Sequence, residues 1–184
     1  MQHATLTEQA RHWGASQPEQ VWMRDLVESG ATEYTWGSAV AEIDRVAAWL
    51  EAEFGHGERM ALLSRNRAHW IMADMGIIHS GNVTVPLFTT HAQATAEYIL
   101  SFTDTKVLFL GETENWYGVK EVLPEGCALI TLPGVDCDLP HTKWEDAAAS
   151  AEAPNYEPGP DDIVSLVFTS GTTGLPKGVI QTHA

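Results

Sequence analysis

The residues of this chain that are best suited to chemistry lie together in one stretch, residues 169–178. It reads Thr-Ser-Gly-Thr-Thr-Gly-Leu-Pro-Lys-Gly and so combines four hydroxyl side chains, three glycines and one lysine. Glycines let backbone N–H groups approach a ligand closely, hydroxyls donate hydrogen bonds, and an ammonium group neutralises phosphate oxygens. We therefore interpret the stretch as a loop that binds phosphate groups, with Lys177 as its positive charge.

Other phosphate-binding patterns fit these residues less well. In the Walker pattern a Gly-Lys pair is followed by Ser or Thr and opens a helix. Lys177 instead lies between Pro176 and Gly178, and neither neighbour favours a helix start at this point. A dinucleotide-type Gly-x-Gly-x-x-Gly pattern is absent. The remaining alternative is a flexible linker rich in glycine and threonine.

Two strands are expected to position this loop. Residues 163–168 form an apolar run with several β-branched side chains, which predicts a buried strand over 161–168. Residues 179–181 predict another strand after the loop. The loop is therefore expected to be held at the end of a rigid element.

The rest of the chain alternates between helical and extended patterns. Thr5 and Glu8 form a capping-box pattern before a helix that is expected to end near Gly14. Further helices are predicted at 40–54, at 68–80 with Asn66 as its cap, at 92–102 and at 116–123, and strands at 20–26, 33–36, 59–63, 82–87, 106–110 and 128–132. Strands separated by helices of this length predict an α/β fold with a largely parallel sheet and flanking helices.

Composition excludes several classes of protein. The 184 residues carry a formal net charge of −15, which argues against nucleic acid as a partner. No apolar run approaches the roughly 18–20 residues that span a bilayer, and the polar amino terminus lacks a signal-peptide core. The two cysteines are expected to be reduced thiols of a cytoplasmic protein. The eight histidines lack the spacing of metal ligands, so no metal site is predicted.

The order of residues 169–178 resembles the signature of the adenylate-forming superfamily, which contains acyl-CoA synthetases, aryl-CoA ligases and the adenylation domains of peptide synthetases. Residues 57–66, reading Gly-Glu-Arg-Met-Ala-Leu-Leu-Ser-Arg-Asn, and residues 81–90 add to this resemblance. The second of these segments is similar to the corresponding part of bacterial long-chain fatty acid–CoA ligases. The similarity extends over most of residues 7–184.

The resemblance implies a reaction and a role for the loop. A carboxylic acid, of the fatty-acid class, reacts with ATP to give an acyl-adenylate and pyrophosphate, and the acyl group then passes to coenzyme A. Mg²⁺ assists the departing pyrophosphate. The resemblance assigns binding of the ATP phosphates to seven residues: Thr169, Ser170, Gly171, Thr172, Thr173, Gly174 and Lys177.

The resemblance also implies that the chain is the amino-terminal portion of a larger domain. We expect an α/β portion at 1–150, a Pro/Gly-rich linker at 151–160, and a strand–loop–strand segment at 161–184 that begins the next subdomain. The pockets for adenine, the acyl group and coenzyme A, together with the catalytic residues, would lie beyond Ala184. We therefore expect a truncated chain whose partner is the downstream part of the same enzyme and which alone is inactive.

Three alternatives to the fatty-acid class remain open. An aryl-CoA ligase or an amino-acid adenylation domain would carry the same signature. A non-catalytic α/β module could bind phosphate or a partner through the same loop. A conventional nucleotide kinase is disfavoured by the sequence around Lys177.

Overall fold

The computed structural model describes residues 4–27, 30–150, 152–169 and 175–183. The helices are α1 Leu6–Ser16, α2 Trp36–Phe54, α3 Ala68–His79, α4 Gln93–Phe102, α5 Trp116–Lys120 and α6 Trp144–Ala147. The strands are β1 Val21–Val27, β2 Gly30–Thr35, β3 Arg59–Leu63, β4 Val83–Leu87, β5 Val107–Leu110, β6 Ala128–Thr131, β7 Thr142–Lys143, β8 Ile163–Thr169 and β9 Lys177–Thr182.

Seven of the strands form one sheet in the order β7-β6-β5-β3-β4-β8-β9. All neighbours in it are parallel except β8 and β9, which are antiparallel. The remaining two, β1 and β2, form a separate antiparallel hairpin. These findings confirm the predicted α/β class with its largely parallel sheet.

The core lies on both faces of the large sheet. Along β3, Met60 and Leu62 point to one face, and Ala61 and Leu63 to the other, and all four are fully buried. The first face is covered by residues of α2, α3 and α6, and the second by residues of α4 and α5. Burial on both faces explains why β3 is a continuous apolar run, as is typical of parallel sheets.

The first residues of α1 and α3 show when a local sequence pattern is enough to predict a helix cap. Thr5 and Glu8 form the predicted capping box of α1, in which the Thr5 hydroxyl accepts from the Glu8 N–H and the Glu8 carboxylate accepts from the Thr5 N–H. The prediction that Asn66 caps α3 is wrong. Residue 67 occupies the cap position without a side-chain bond, and Asp25 Oδ1 of β1 accepts from the Ala68 N–H at 2.7 Å.

Several predicted boundaries also differ from those observed. Trp36 was expected to end a strand but begins α2, because the Thr35 hydroxyl accepts from the Ser38 N–H and caps that helix. Helix α1 continues past Gly14 to Ser16, and α5 stops three residues before its predicted end at 123. The short elements β7 and α6 were not predicted, since neither is long enough to show a period.

The segment predicted as a linker makes specific contacts with the rest of the fold. Pro154 is buried, and the Asn155 N–H donates to Glu51 Oε2 of α2 at 2.7 Å. The Tyr156 hydroxyl donates to Asp162. The described residues 152–159 form no helix or strand. The division into 1–150, 151–160 and 161–184 stays a prediction, although β8 lies in the same sheet as β3 to β7.

A hydrogen bond to a buried histidine joins α2 to α3. His79 is fully buried, and its Nδ1 lies 2.8 Å from Asp44 Oδ1, which also lies 3.5 Å from the Arg11 guanidinium. Burial lowers the pKa of His79 despite the attraction of Asp44. Burial alone would raise the pKa of Asp44, but the hydrogen bond with His79 and the charge of Arg11 lower it. We therefore expect neutral His79 to donate from Nδ1 to an ionised Asp44.

This pair predicts a loss of stability on mild acidification. The pKa of His79 lies below its usual 6.5, so the unfolded chain binds more protons than the folded one just below that pH. We expect the contribution of this pair to the free energy of unfolding to be constant above about pH 7 and to fall below it, by at most about 1.4 kcal/mol per pH unit for one group. Denaturant titrations across this range measure the slope.

The variant His79→Gln serves as the control for this prediction, because glutamine can still donate to Asp44 but does not titrate. Its slope should be shallower than that of the parent chain. Burial also lowers the pKa of His91 and His183, which should supply the slope that remains. An unchanged slope in His79→Gln would contradict the assignment to this pair.

Candidate functional site

The predicted phosphate loop connects β8 to β9. Thr169, the last residue of β8, is in register with Lys177, the first residue of β9. Lys177 is therefore a strand residue, whereas the sequence placed it within the loop. Leu175 is 67% exposed. The other five predicted residues, Ser170, Gly171, Thr172, Thr173 and Gly174, lie outside the described residues.

The loop leaves the sheet at its carboxyl edge. Because β8 is parallel to β3, β4, β5 and β6, all five strands end at the same edge. Strand β8 is joined to β4 by the registered pair of Thr84 with Ser165. The segment after β4, residues 88–90, therefore leaves the same edge as the loop. Open α/β sheets bind their ligands at this edge.

The same edge contains a topological switch point. The chain passes from β3 to β4 on one side, and then crosses to β5 on the other side of β3. A cavity of about 290 Å³ opens there, lined by Ser64, Arg65, Asn66, Trp70, Pro86, Leu87, Phe88 and Thr89. A second cavity of about 480 Å³ follows the ends of β5 and β6 and is lined by residues 110–114, 116, 117 and 134–136.

The cations at this edge differ in their availability to a ligand. The Nη1 atom of Arg65 lies 3.4 Å from Glu112 Oε1, and its Nη2 atom bonds Glu114. Arg65 therefore already has two carboxylate partners. Lys177 is exposed, and no carboxylate of the described residues forms an ion pair with it. Of these two cations, Lys177 is therefore the one that is available to bind an added anion.

A histidine at the same edge was missed by sequence reasoning. His91 follows β4, and its Nδ1 atom is buried with no hydrogen-bond partner among the described residues. The Phe88 ring lies edge-on to it at 5.0 Å, and Asn115 Nδ2 donates to the His91 carbonyl at 2.5 Å. Burial lowers the pKa of His91 and favours its neutral form. The available signal was its position just after a parallel strand.

The described residues contain no group of three or more His, Cys, Asp or Glu side chains placed to hold a metal ion. Both cysteines are free thiols, and burial raises the pKa of Cys127 to about 11. Within the same described ranges, no helix has both the length and the apolar character needed to cross a membrane.

Comparison with known proteins identifies relatives along nearly the whole chain. The family model described as AMP-binding enzyme matches residues 9–184. An octahydroindenyl-propanoyl:CoA ligase of Rhodococcus jostii is 32% identical over 159 residues, covering 76% of this chain and 30% of that protein. Fatty acyl-CoA synthetase A of Dictyostelium discoideum is 28% identical over 184 residues, covering 88% and 27%. A nonribosomal peptide synthetase of Glarea lozoyensis is 30% identical over 148 residues, covering 78% and 2%.

Solved structures share the fold. Acetoacetyl-CoA synthetase from Streptomyces lividans aligns with a TM-score of 0.86 at 22% identity, covering 97% of this chain and 30% of that one. An anthranilate CoA ligase in complex with anthranoyl-AMP aligns with a TM-score of 0.80 at 22% identity, covering 100% and 35%.

The chain covers between 2% and 30% of the lengths of the three relatives named above. The family match nevertheless includes every strand of the large sheet and the loop between β8 and β9. The resemblance inferred from the signature is thereby confirmed, and the chain belongs to the AMP-binding enzyme family.

Proposed function

We propose that this chain supplies the ATP-phosphate-binding hairpin of an acid–thiol ligase. The observation that supports this most directly is the registered pair of Thr169 and Lys177 at the carboxyl edge of the sheet. The pair places a hydroxyl and an exposed ammonium group at the two ends of a segment of Ser, Thr and Gly residues followed by Leu175 and Pro176. Hydroxyl and ammonium donors are a chemical match for phosphate oxygens.

The proposed reaction has two steps. In the first, a carboxylate oxygen of the acid forms a bond to the α-phosphorus of ATP, and the bond to the bridging oxygen of pyrophosphate breaks. In the second, the thiol of coenzyme A attacks the acyl carbon and AMP leaves. Such reactions depend on positioning and on stabilising the charge that develops on the leaving group.

The chain's own contribution is to the first step. Lys177 would neutralise charge on the β- and γ-phosphates, and the hydroxyl of Thr169 would donate to their oxygens. The same role is proposed for the remaining members of the loop: Ser170, Gly171, Thr172, Thr173 and Gly174. Mg²⁺ bound with ATP would add positive charge, but the described residues hold no ligand set for it, and we derive no step through it.

We propose a fatty acid as the acid substrate. The named synthetase of Dictyostelium discoideum and the similarity of residues 81–90 to long-chain ligases support this choice. An aryl acid or an amino acid is the alternative, which the anthranilate ligase and the peptide synthetase among the similar proteins keep open. A non-catalytic phosphate-binding module remains the alternative outside ligase chemistry.

Pyrophosphate exchange with a panel of acids tests these proposals. The assay requires a polypeptide that carries this chain together with the remaining length found in its relatives. We expect exchange of labelled pyrophosphate into ATP to be stimulated by medium- and long-chain fatty acids, and no exchange by the 184 residues alone. Stimulation only by aryl acids or only by amino acids would replace the fatty-acid proposal. Exchange with none of the acids would overturn the ligase proposal.

A further inference from the structure

The hairpin of β8 and β9 joins the rest of the sheet along one strand only, β4. Among the described residues, β8 shares only the pair Thr84–Ser165 with β4, and its other registered pairs are with β9. Phe168 is buried and packs into the apolar cluster on the second face of the sheet. The packing of β8 orients the middle of the hairpin, and the residues at its base, 162 and 183, add further contacts with the rest of the fold.

One side of the base is held by Asp162, which immediately precedes β8. Its Oδ2 atom accepts from the Tyr156 hydroxyl at 2.5 Å and from the Gly159 N–H at 2.7 Å. The bond from Tyr156, and then that from Gly159, lowers the pKa of Asp162. Burial, and then the bond to Asp162, raises the pKa of Tyr156 to about 12. The phenol therefore remains a donor and the carboxylate an acceptor throughout the neutral pH range.

Tyr156 is in turn fixed to the central part of the fold. Its ring lies so close to Gly81, in the turn between α3 and β4, that a Cβ atom added there would be 2.7 Å from Tyr156 Cδ2. The ring of His56 lies 5.1 Å away, centroid to centroid. The neighbouring Asn155 N–H donates to Glu51 Oε2 at 2.7 Å. Residues 155 and 156 thus connect Asp162 to α2 and to the turn that follows α3.

The other side of the base is held by His183, which follows β9. Its Nδ1 atom accepts from the Leu6 N–H at 3.1 Å, so the end of β9 is tied to the first turn of α1. Burial lowers the pKa of His183, while the negative charges of Asp162 and Glu8 oppose that shift. A neutral His183 is the form that can accept this bond.

We propose that Tyr156 and Asp162 are positioning residues for the phosphate loop. Their hydrogen bond fixes the base of the hairpin against the turn at Gly81, and thereby fixes the direction in which Thr169 and Lys177 are presented. Without that bond the hairpin keeps its contacts with β4 and at His183, but its base is less firmly oriented. The structural part of this proposal is independent of the proposed function, and its consequence for ATP rests on that function.

Hydrogen exchange of the 184-residue chain tests the structural part. Tyr156→Phe removes only the hydroxyl and leaves the ring against Gly81. We expect amides in 163–169 and 177–183 to exchange about tenfold faster, the effect of losing one hydrogen bond to a charged acceptor, while β3 and β5 exchange as before. Asp162→Ala removes both bonds and should accelerate exchange further. Unchanged exchange in the hairpin, or equal acceleration in β3 and β5, would overturn the proposal.

The matched control is Tyr98→Phe. Tyr98 lies on α4 and stacks on Phe102, and its hydroxyl has no hydrogen-bond partner among the described residues. Its loss should leave hairpin exchange unchanged. If Tyr98→Phe accelerates amide exchange in the hairpin as much as Tyr156→Phe does, the effect does not come from the bond to Asp162. The proposal then fails.

Pyrophosphate exchange in the longer polypeptide tests the consequence for ATP. We expect Tyr156→Phe to raise KM for ATP about tenfold with a smaller change in kcat, because ground-state contacts to the phosphates are lost. Faster hydrogen exchange with unchanged KM would show that the bond stabilises the hairpin without positioning the loop, and would overturn the positioning role. An inactive parent protein would instead reject the proposed function, and the hydrogen-exchange result would still decide the structural part.

Discussion

Replacing Lys177 with alanine is expected to lower kcat/KM for ATP in pyrophosphate exchange about a hundredfold, the loss typical of removing one preorganised donor to developing charge. Lys177 is exposed at the first position of β9, opposite Thr169. Because no described carboxylate pairs with its ammonium group, the substitution breaks no ion pair there. The free energy of unfolding should therefore change by less than about 0.5 kcal/mol.

Lys106→Ala is the matched control for Lys177→Ala. Lys106 lies just before β5, at the amino edge of the sheet, and pairs with Asp104 on the surface. Exposed pairs of this kind contribute about 0–1 kcal/mol, so the control should fold and should keep its exchange activity. Equal kcat/KM values in Lys177→Ala and the parent protein would remove Lys177 from the phosphate site.

Replacing Gly111 with alanine is expected to lower the free energy of unfolding by about 3 kcal/mol, the upper range for forcing atoms into a packed interior. A Cβ atom at Gly111 would lie 2.0 Å from Ser64 Oγ and 2.3 Å from Ser64 Cβ. The backbone cannot easily withdraw, because the Gly111 N–H donates to the Leu63 carbonyl at 2.8 Å. Denaturant unfolding of the 184-residue chain measures the loss.

A second substitution distinguishes this clash from a general intolerance of position 111. Ser64→Gly removes the two atoms nearest to the new Cβ and leaves Leu132 Cδ1 at 3.0 Å. The variant Ser64→Gly/Gly111→Ala should therefore lose less stability than the sum of the two single variants, by about 1–2 kcal/mol. Gly111 is not at positive φ, so the expected loss comes from the contact with Ser64 and not from the backbone conformation. Additive losses in the double variant would contradict the proposed contact.

The central elements could be predicted from the sequence because their signals are local and strong. Strand β3 was predicted at its observed bounds, since burial on both faces leaves an uninterrupted apolar run. The capping box at Thr5 was likewise readable from residues three apart. The cap of α3 could not be predicted in this way, because its acceptor, Asp25, lies 43 residues earlier in the chain.

The site was only partly predictable for the same reason. The signature at 169–178 located the loop, but the register that makes Lys177 a strand residue depends on pairing with β8. Neither Arg65 nor His91 was predicted as a site residue, and the only signal for His91 was its position just after a parallel strand. They reach the site because β3 and β4 end at the same edge as β8, which is a property of the strand order.

The bond from the Ala68 N–H to Asp25 also bears on how the protein unfolds. The first turn of α3 obtains its acceptor only when the hairpin of β1 and β2 is docked. Detachment of the hairpin therefore leaves an uncapped helix end beside the switch point, and fraying of α3 would in turn loosen the hairpin. The two elements should behave as one cooperative unit whose opening is less costly than global unfolding.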